Sequence, residues 1–243
     1  MRVDSEPAFV LHVRPYRESS QLVDIFSRHY GRFRAVAKGF RRAKNTAKQL
    51  SPFTPLLVSW SGKSDLKSLL SAEQTGASLM LVGERLYSGF YLNELLLRLL
   101  AVHDPHQQLF DSYFEILAHL AADVPIEPPL RKFEFCLLEE IGYGLVMDVE
   151  ASTGEPISQE QWYWFDPTIG FVSGIKSNKN SPNWFLGSDI LAIQNFTDQN
   201  LALGRVKKRL TRLAIEPHLG NKPLSSRALF SGVSGVSSIL SKG

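Results

Sequence analysis

RHYGRFRAVAKGFRRAKNTAK, residues 28–48, contains eight Lys or Arg and no Asp or Glu, so its field is uniformly positive and suits an acidic partner. Residues 32–38 alternate. Read as a strand, they put Phe33, Ala35 and Ala37 on one face and Arg32, Arg34, Val36 and Lys38 on the other. One face supplies a core and the other a basic ribbon. Gly39 breaks the strand, and the residues from Arg41 to Lys48, with no apolar period, predict a basic loop. A twisted basic ribbon beside a basic loop suits a sugar–phosphate backbone, although a solvated basic face without a ligand accounts for the composition equally well.

Outward from this stretch the alternation continues. Residues 8–14 read as a strand with Phe9, Leu11 and Val13 on one side, ended by Pro15. Residues 21–26 read as a second strand, and Tyr30-Gly31 turns the chain into the basic third strand, giving a hairpin. Residues 53–60 and 66–73, joined by an SGKSD turn, complete five short strands. That number and spacing predict a small barrel: an OB-fold, whose face and loops commonly bind oligonucleotides, with an SH3-like barrel as the alternative.

From Ser78 the apolar period changes to that of a helix, with Leu79, Val82, Leu86, Phe90, Asn93, Leu97 and Leu100 along one stripe. Residues 106–122 repeat the pattern, and 130–141 predict a third helix that starts after Pro128-Pro129 and stops at Gly142. Short joining loops favour antiparallel packing of the three. Residues 146–182 lose helical periodicity, gather Gly, Pro, Ser and Asn, and include the aromatic run Trp162 to Phe165, which predicts a small irregular β insertion. Residues 184–196 and 200–219 read as two more helices, the second carrying Arg205, Lys207, Lys208, Arg209 and Arg212. The expected organisation is α+β: a barrel domain at 1–77, a helical domain from 78–145 and 184–231, an insertion at 146–183 and a disordered Gly- and Ser-rich tail at 232–243.

The 243 residues, 44% of them hydrophobic, suffice for packed cores. The formal net charge of +3 conceals an asymmetry: residues 1–80 carry 13 basic and 6 acidic side chains, and the remainder 14 and 18. The single cysteine, Cys136, excludes an internal disulfide and a multi-thiolate zinc site, which fits a reducing cytosol. The N-terminus lacks the cationic start and apolar run of a signal peptide, and residues 92–100 are too short to span a bilayer. These features predict a cytoplasmic protein with no membrane association.

No GxxxxGK[ST], no GxGxxG after a strand and no GxSxG occurs, so nucleotide hydrolysis, dinucleotide binding and a standard hydrolase elbow lack support, and no cofactor is implied. His103-Asp104-Pro105-His106 has the composition of a metal cluster but reads as an interhelical turn. Glu139 and Glu140 are adjacent on a helix and point apart, which favours a solvated face over a catalytic carboxylate pair. Cys136 sits in the apolar FEFCLLEE helix, as an inert core thiol does. Tyr16, Phe33 and Phe40 lie near the ribbon and have the chemistry to stack on bases; the phase of Phe33 puts it in the core.

Six segments in order resemble the RecO family of bacterial recombination mediators: AFVLHVRPYRESSQLVDIFS at 8–27, GRFRAVAKGFRR at 31–42, PFTPL at 52–56, LYSGFYLNELLLRLL at 86–100, LRKFEFCLLEEIGYG at 130–144 and HLGNKPLSSRALF at 218–230. The resemblance implies an N-terminal OB-fold, a helical domain and a zinc-finger-like insertion. Some relatives hold a cysteine-ligated zinc in that insertion; residues 146–182 contain no cysteine, so the chain resembles a metal-free branch.

The resemblance further implies a non-enzymatic protein that binds single- and double-stranded DNA and anneals complementary strands. It also implies contact with the acidic C-terminal tail of single-stranded DNA-binding protein (SSB), and help, with RecR, in loading RecA. Carried onto this chain, the backbone contacts are Arg32, Arg34, Lys38, Arg41, Arg42 and Lys44, with a second patch from Lys207, Lys208, Arg212, Lys222 and Arg227. Arg131 and Lys132 are the matched candidates for the SSB tail, against the simpler role of solvating a helix end. Two other readings stand beside this one: a protein-interaction scaffold whose basic barrel docks acidic partners, and an RNA-binding OB protein.

Overall fold

The computed structural model describes residues 1–39, 50–175, 181–194 and 201–229. The basic loop from Arg41 to Lys48 and the tail at 232–243 lie outside them. By packing the chain forms two compact units: Met1–Val124 with the described residues from Lys222 on, and Pro125–Asn221.

The first unit is built on five strands: β1 (Arg2–Tyr16), β2 (Ser20–Ser27), β3 (Gly31–Lys38), β4 (Leu56–Ser61) and β5 (Leu66–Gln74). They close into a barrel in the order β1-β2-β3-β5-β4, with β3 and β5 parallel and the other pairs antiparallel. This is the five-stranded Greek-key barrel of the OB-fold. Val23, Ile25, Phe33, Ala35, Ala37, Val58 and Trp60 fill its interior, as the alternation in β2 and β3 requires.

β1 differs from its sequence reading. It runs past Pro15 to Tyr16, and a register shift between Val10 and His12 changes its phase. Ala8, Val10 and Val13 therefore face the barrel interior. Phe9 lies on the outside, 5.1 Å from the Tyr113 ring and 5.5 Å from Phe110. A bulge of this kind lets one strand serve two cores.

The second core lies under α1 (Glu84–Leu99) and α2 (Gln107–Ala121). Helix α1 starts six residues later than its apolar pattern begins and buries Ser88, Gly89, Leu92, Asn93, Leu95 and Leu96, while Val82 is 68% exposed. Gly89 is on the buried face because a Cβ there would come within 2.8 Å of the Phe53 ring. The Tyr113 hydroxyl donates to Asn93 Oδ1 at 2.5 Å, and Asn93 Nδ2 donates to the Leu11 carbonyl at 2.9 Å. Burial raises the Tyr113 phenol pKa, so the hydroxyl keeps its proton and remains a donor.

Gly31 opens β3 at φ 66°, where a Cβ would fall 1.9 Å from the Asp104 carbonyl oxygen. Only glycine allows the β2–β3 turn to approach that backbone.

The second unit holds α3 (Glu127–Glu140), strands β6 (Trp162–Asp166), β7 (Gly170–Ser173) and β8 (Trp184–Leu186), then α4 (Gly187–Gln194) and α5 (Leu201–Ile215), closed by a 3₁₀ turn at Glu216–Leu219. The strands form an antiparallel sheet in the order β7-β6-β8. Residues 184–186 are thus strand rather than the start of a helix: Trp184 pairs with Trp164, and Phe185 with Tyr163. One sheet face buries Tyr163, Phe165, Phe171 and Phe185. No helix among the described residues is long and apolar enough to cross a membrane.

Candidate nucleic-acid interface

Of the cations in residues 28–38, the fold engages Arg28 and Arg32 and leaves Arg34 and Lys38 exposed. Arg28 donates from Nε and Nη2 to the two Asp111 carboxylate oxygens at 2.9 and 2.8 Å, and this hydrogen-bonded pair holds the Asp111 carboxyl below the usual range. Arg32 is half-buried and donates twice to the Leu100 carbonyl, at 3.2 and 3.0 Å; burial lowers its pKa. Arg34 is exposed and reaches Asp24 with Nε at 3.1 Å, its side chain still 49% exposed. Lys38 is exposed at the end of the strand.

Cross-strand register extends this ribbon. His12, Asp24 and Arg34 lie in one row, Arg14, Leu22 and Val36 in the next, and Tyr16, Ser20 and Lys38 in the last. Residues directly opposite share a face. Toward the other end the same face carries Phe9 and Phe26, which lie against Phe110 and Tyr113 of α2. On β1, β2 and β3 one end of this face is therefore covered and apolar, and the other carries exposed cations on β1 and β3 flanking the buried Ser20, Leu22 and Asp24 of β2.

Arg14 and Arg17, absent from the sequence-derived set, belong to the basic end: both are exposed, and the Arg17 guanidinium lies 5.2 Å from the Tyr16 ring centroid. The alternation of β1 beyond its bulge was the signal for Arg14. Of the remaining barrel candidates, Arg41, Arg42 and Lys44 lie outside the described residues, as does Phe40. Phe33 is 1% exposed and available to the core only.

The second set divides. Lys207 is 8% exposed, which removes it from any phosphate-facing surface. Lys208 Nζ is 2.7 Å from Glu127 Oε1, with both side chains more than half exposed. Arg212 is exposed on α5. Lys222 and Arg227 belong to the first unit, where Arg98 donates to the Lys222 and Pro223 carbonyls and Glu94 accepts from the Ser225 and Ser226 amides, each at 2.8 Å. Although burial opposes the Glu94 charge, the Ser226 and Ser225 hydrogen bonds and Arg98 hold its pKa below the usual range.

Arg131 and Lys132 sit side by side in sequence but differ in environment. Arg131 is 7% exposed. Its Nη1 is 2.7 Å from Glu134 Oε2, and Nε is 3.5 Å from Glu127 Oε2. The Thr211 hydroxyl donates to Glu134 from α5. Arg131 thus ties α3 to α5 rather than standing at a helix end as a solvated cation. Lys132, one residue on, is exposed. Glu127, Arg131 and Glu134 at i, i+4 and i+7 were the sequence signal for that internal pairing.

Among the described residues no group of three or more His, Cys, Asp or Glu could hold a metal ion. His103 takes a left-handed turn at φ 63° and donates its amide to the Arg32 carbonyl at 2.8 Å. A thiolate-bound zinc does not fit the insertion, because residues 146–182 contain neither Cys nor His. Glu150 organises that region instead: it accepts from the Ser152 and Thr153 hydroxyls at 2.5 and 2.7 Å and from the Ser173 amide at 3.1 Å. These bonds hold its pKa down to about 2.

Residues 1–77 match the family model described as recombination protein O N terminal, and residues 80–228 the one described as recombination protein O C terminal. The chain is 43% identical over 227 residues to the DNA repair protein RecO of Actinobacillus pleuropneumoniae serotype 7 (strain AP76), covering 93% of both chains. It is 42% identical to that of Haemophilus influenzae (strain 86-028NP), covering 95% of this chain and 97% of the relative. Against that of Cellvibrio japonicus (strain Ueda107) the identity is 44%, over 95% and 98%. The chain belongs to the recombination protein O family.

Proposed function

We propose that this protein is a recombination mediator in DNA repair that works by binding. It holds single- and double-stranded DNA, anneals complementary strands, and with RecR helps load RecA onto SSB-coated single strands. The observation that carries the reading is the basic end of this barrel face, where Arg14 of β1 and Arg34 and Lys38 of β3 are exposed on either side of β2 and Asp24 of β2 is the acid in their midst. Such a surface neutralises phosphates without reading bases, so its affinity falls steeply with salt as counterions are released. Annealing requires that two like-charged strands approach, and neutralisation supplies this without hydrolysis.

Arg41, Arg42 and Lys44 extend the same basic run in sequence and are assigned to the same contact. Lys208 and Arg212 on α5, and Lys222 and Arg227 in the first unit, are secondary phosphate contacts. For the SSB tail the start of α3 supplies the site, with Lys132 as the accessible cation and Arg131 fixing the helix that presents it. Lys132→Glu accordingly weakens binding of an SSB-tail peptide while leaving naked-DNA affinity nearly unchanged, through like-charge repulsion with the acidic tail; isothermal titration with the peptide reads the effect. The functional test is annealing of complementary oligonucleotides coated with intact SSB, beside SSB lacking its acidic tail, without ATP. Tail-dependent annealing supports the mediator reading. Absence of annealing on coated and bare strands alike contradicts it and favours a scaffold that docks acidic proteins.

A further inference from the structure

The three arginines between residues 28 and 38 use their guanidinium nitrogens differently. Arg28 gives Nε and Nη2 to the two oxygens of Asp111, and Arg32 gives the same two nitrogens to the Leu100 carbonyl. Arg34 gives only Nε, to Asp24 Oδ1 at 3.1 Å. Its Nη1 and Nη2 meet no acceptor among the described residues, and its side chain is 49% exposed. Of the three, Arg34 keeps its outer fork for a partner.

Asp24 sits within β2 with its side chain 7% exposed, opposite His12 of β1 on one side and Arg34 of β3 on the other. Oδ1 accepts from Arg34, and Oδ2 lies 3.9 Å from His12 Nδ1. A carboxylate amid exposed cations repels phosphate, yet this one is built into the sheet. Held there, it restricts the rotamers of a long and otherwise exposed side chain. A side chain ordered before binding loses less entropy when its ligand arrives.

A guanidinium is planar, and its Nε edge and its Nη1–Nη2 edge face different directions. It therefore holds two anions at once: a carboxylate on the first edge and a phosphate, bidentately, on the second. The width of the group keeps them apart. An ammonium presents a single nitrogen, on which the same two anions crowd together.

We propose that Asp24 is a positioning residue for DNA binding: it fixes Arg34 through Nε so that the Nη1–Nη2 fork takes one phosphate group of the backbone. The inference rests on the DNA-binding reading of the barrel ribbon and deepens it. Position 34 then requires the shape of arginine and not only its charge.

The test measures the affinity and salt slope of oligo-thymidylate binding by the full chain, for wild type, Arg34→Ala, Arg34→Lys, Asp24→Asn and Arg34→Lys/Asp24→Asn. Arg34→Ala is expected to make the slope shallower by about 0.7 of a unit, the share of one phosphate contact on a single strand. Arg34→Lys behaves like Arg34→Ala although the charge is kept, with affinity down by about tenfold, the scale of one charge-assisted hydrogen bond. Asp24→Asn keeps the wild-type slope. Arg34→Lys/Asp24→Asn recovers it, because the ammonium is no longer divided between two anions; a merely structural fault in the lysine variant would not be repaired in this way. Arg34→Lys with wild-type slope and affinity, beside an Arg34→Ala that lowers both, overturns the positioning role and leaves the ribbon reading standing. So does a lysine loss equally large with Asp or Asn at position 24. If Arg34→Ala changes neither quantity, or the wild-type protein binds no oligonucleotide, the ribbon reading falls and the positioning role with it.

Discussion

The end of β3 and the facing surfaces of α3 and α5 are both rich in Lys and Arg, yet the fold treats their charges in opposite ways. At the end of β3 the cations stay at the surface: Arg34 keeps 49% of its side chain exposed even while paired with Asp24, and Lys38 is exposed. Between α3 and α5 one charge turns inward: Arg131 is buried against Glu134, while Lys208, paired with Glu127, stays at the surface. The difference lies in the neighbouring acids. Residues 28–48 contain none, whereas α3 brings Glu127 and Glu134 to the basic helix. Arg34 takes a single acid from the neighbouring β2 and keeps half its side chain in solvent, whereas Arg131 is enclosed by Glu127 and Glu134 of its own helix and Thr211 of α5.

The largest effect expected from that contrast is on stability. Arg131→Glu would set a third carboxylate beside Glu127 and Glu134, and breaking a buried pair costs about 3–5 kcal/mol. Urea unfolding checks this, and Arg131→Met/Glu134→Leu is expected to recover most of the loss, because no uncompensated charge is left behind. Arg34→Ala/Lys38→Ala is expected to act mainly on binding: DNA affinity drops for all sequences alike, with a smaller loss of stability because the buried Asp24 carboxylate loses Arg34.

A smaller effect concerns pH. The folded-state pKa of Glu94 is depressed, so its contribution is full above the ordinary glutamate value of about 4.3 and is lost as pH falls through the folded value. Hydrogen exchange at the Ser225 and Ser226 amides is expected to accelerate over that acid window and to be unaffected at neutral pH. The smallest effect is that of Lys208→Ala: its pair with Glu127 is exposed on both sides, so stability changes by no more than about 0.5 kcal/mol in thermal unfolding.

The barrel was legible because period-two alternation in β2 and β3 fixes which side chains fill it: Phe33, Ala35 and Ala37 are where the pattern places them. The bulge in β1 was not, since Phe9, Val10 and Leu11 are all apolar and only the register against β2 shows which faces inward. In helix α1 the expected stripe kept Asn93 but missed Ser88, Gly89, Leu92, Leu95 and Leu96 for a similar reason. With apolar residues around much of its circumference, the face is set by what covers it, here Phe53 against Gly89. Trp184 and Phe185 read as helix because their partners, Trp164 and Tyr163, are twenty or more residues away. At the candidate site, Arg34 and Lys38 were read directly from the strand phase. The burial of Lys207 and Arg131 depends on an approach of α3 to α5 that local patterning does not encode.

The central claim is that the open barrel ribbon, not the helix cations, supplies the principal DNA contact. Its most direct test is the salt dependence of single-strand binding for the wild-type protein, Arg34→Ala/Lys38→Ala and Lys208→Ala/Arg212→Ala. The account predicts a steep negative slope for wild type, a slope shallower by about one to two units for the ribbon pair, and a smaller change for the helix pair. An unchanged slope in the ribbon pair, with the larger loss in the helix pair, contradicts it.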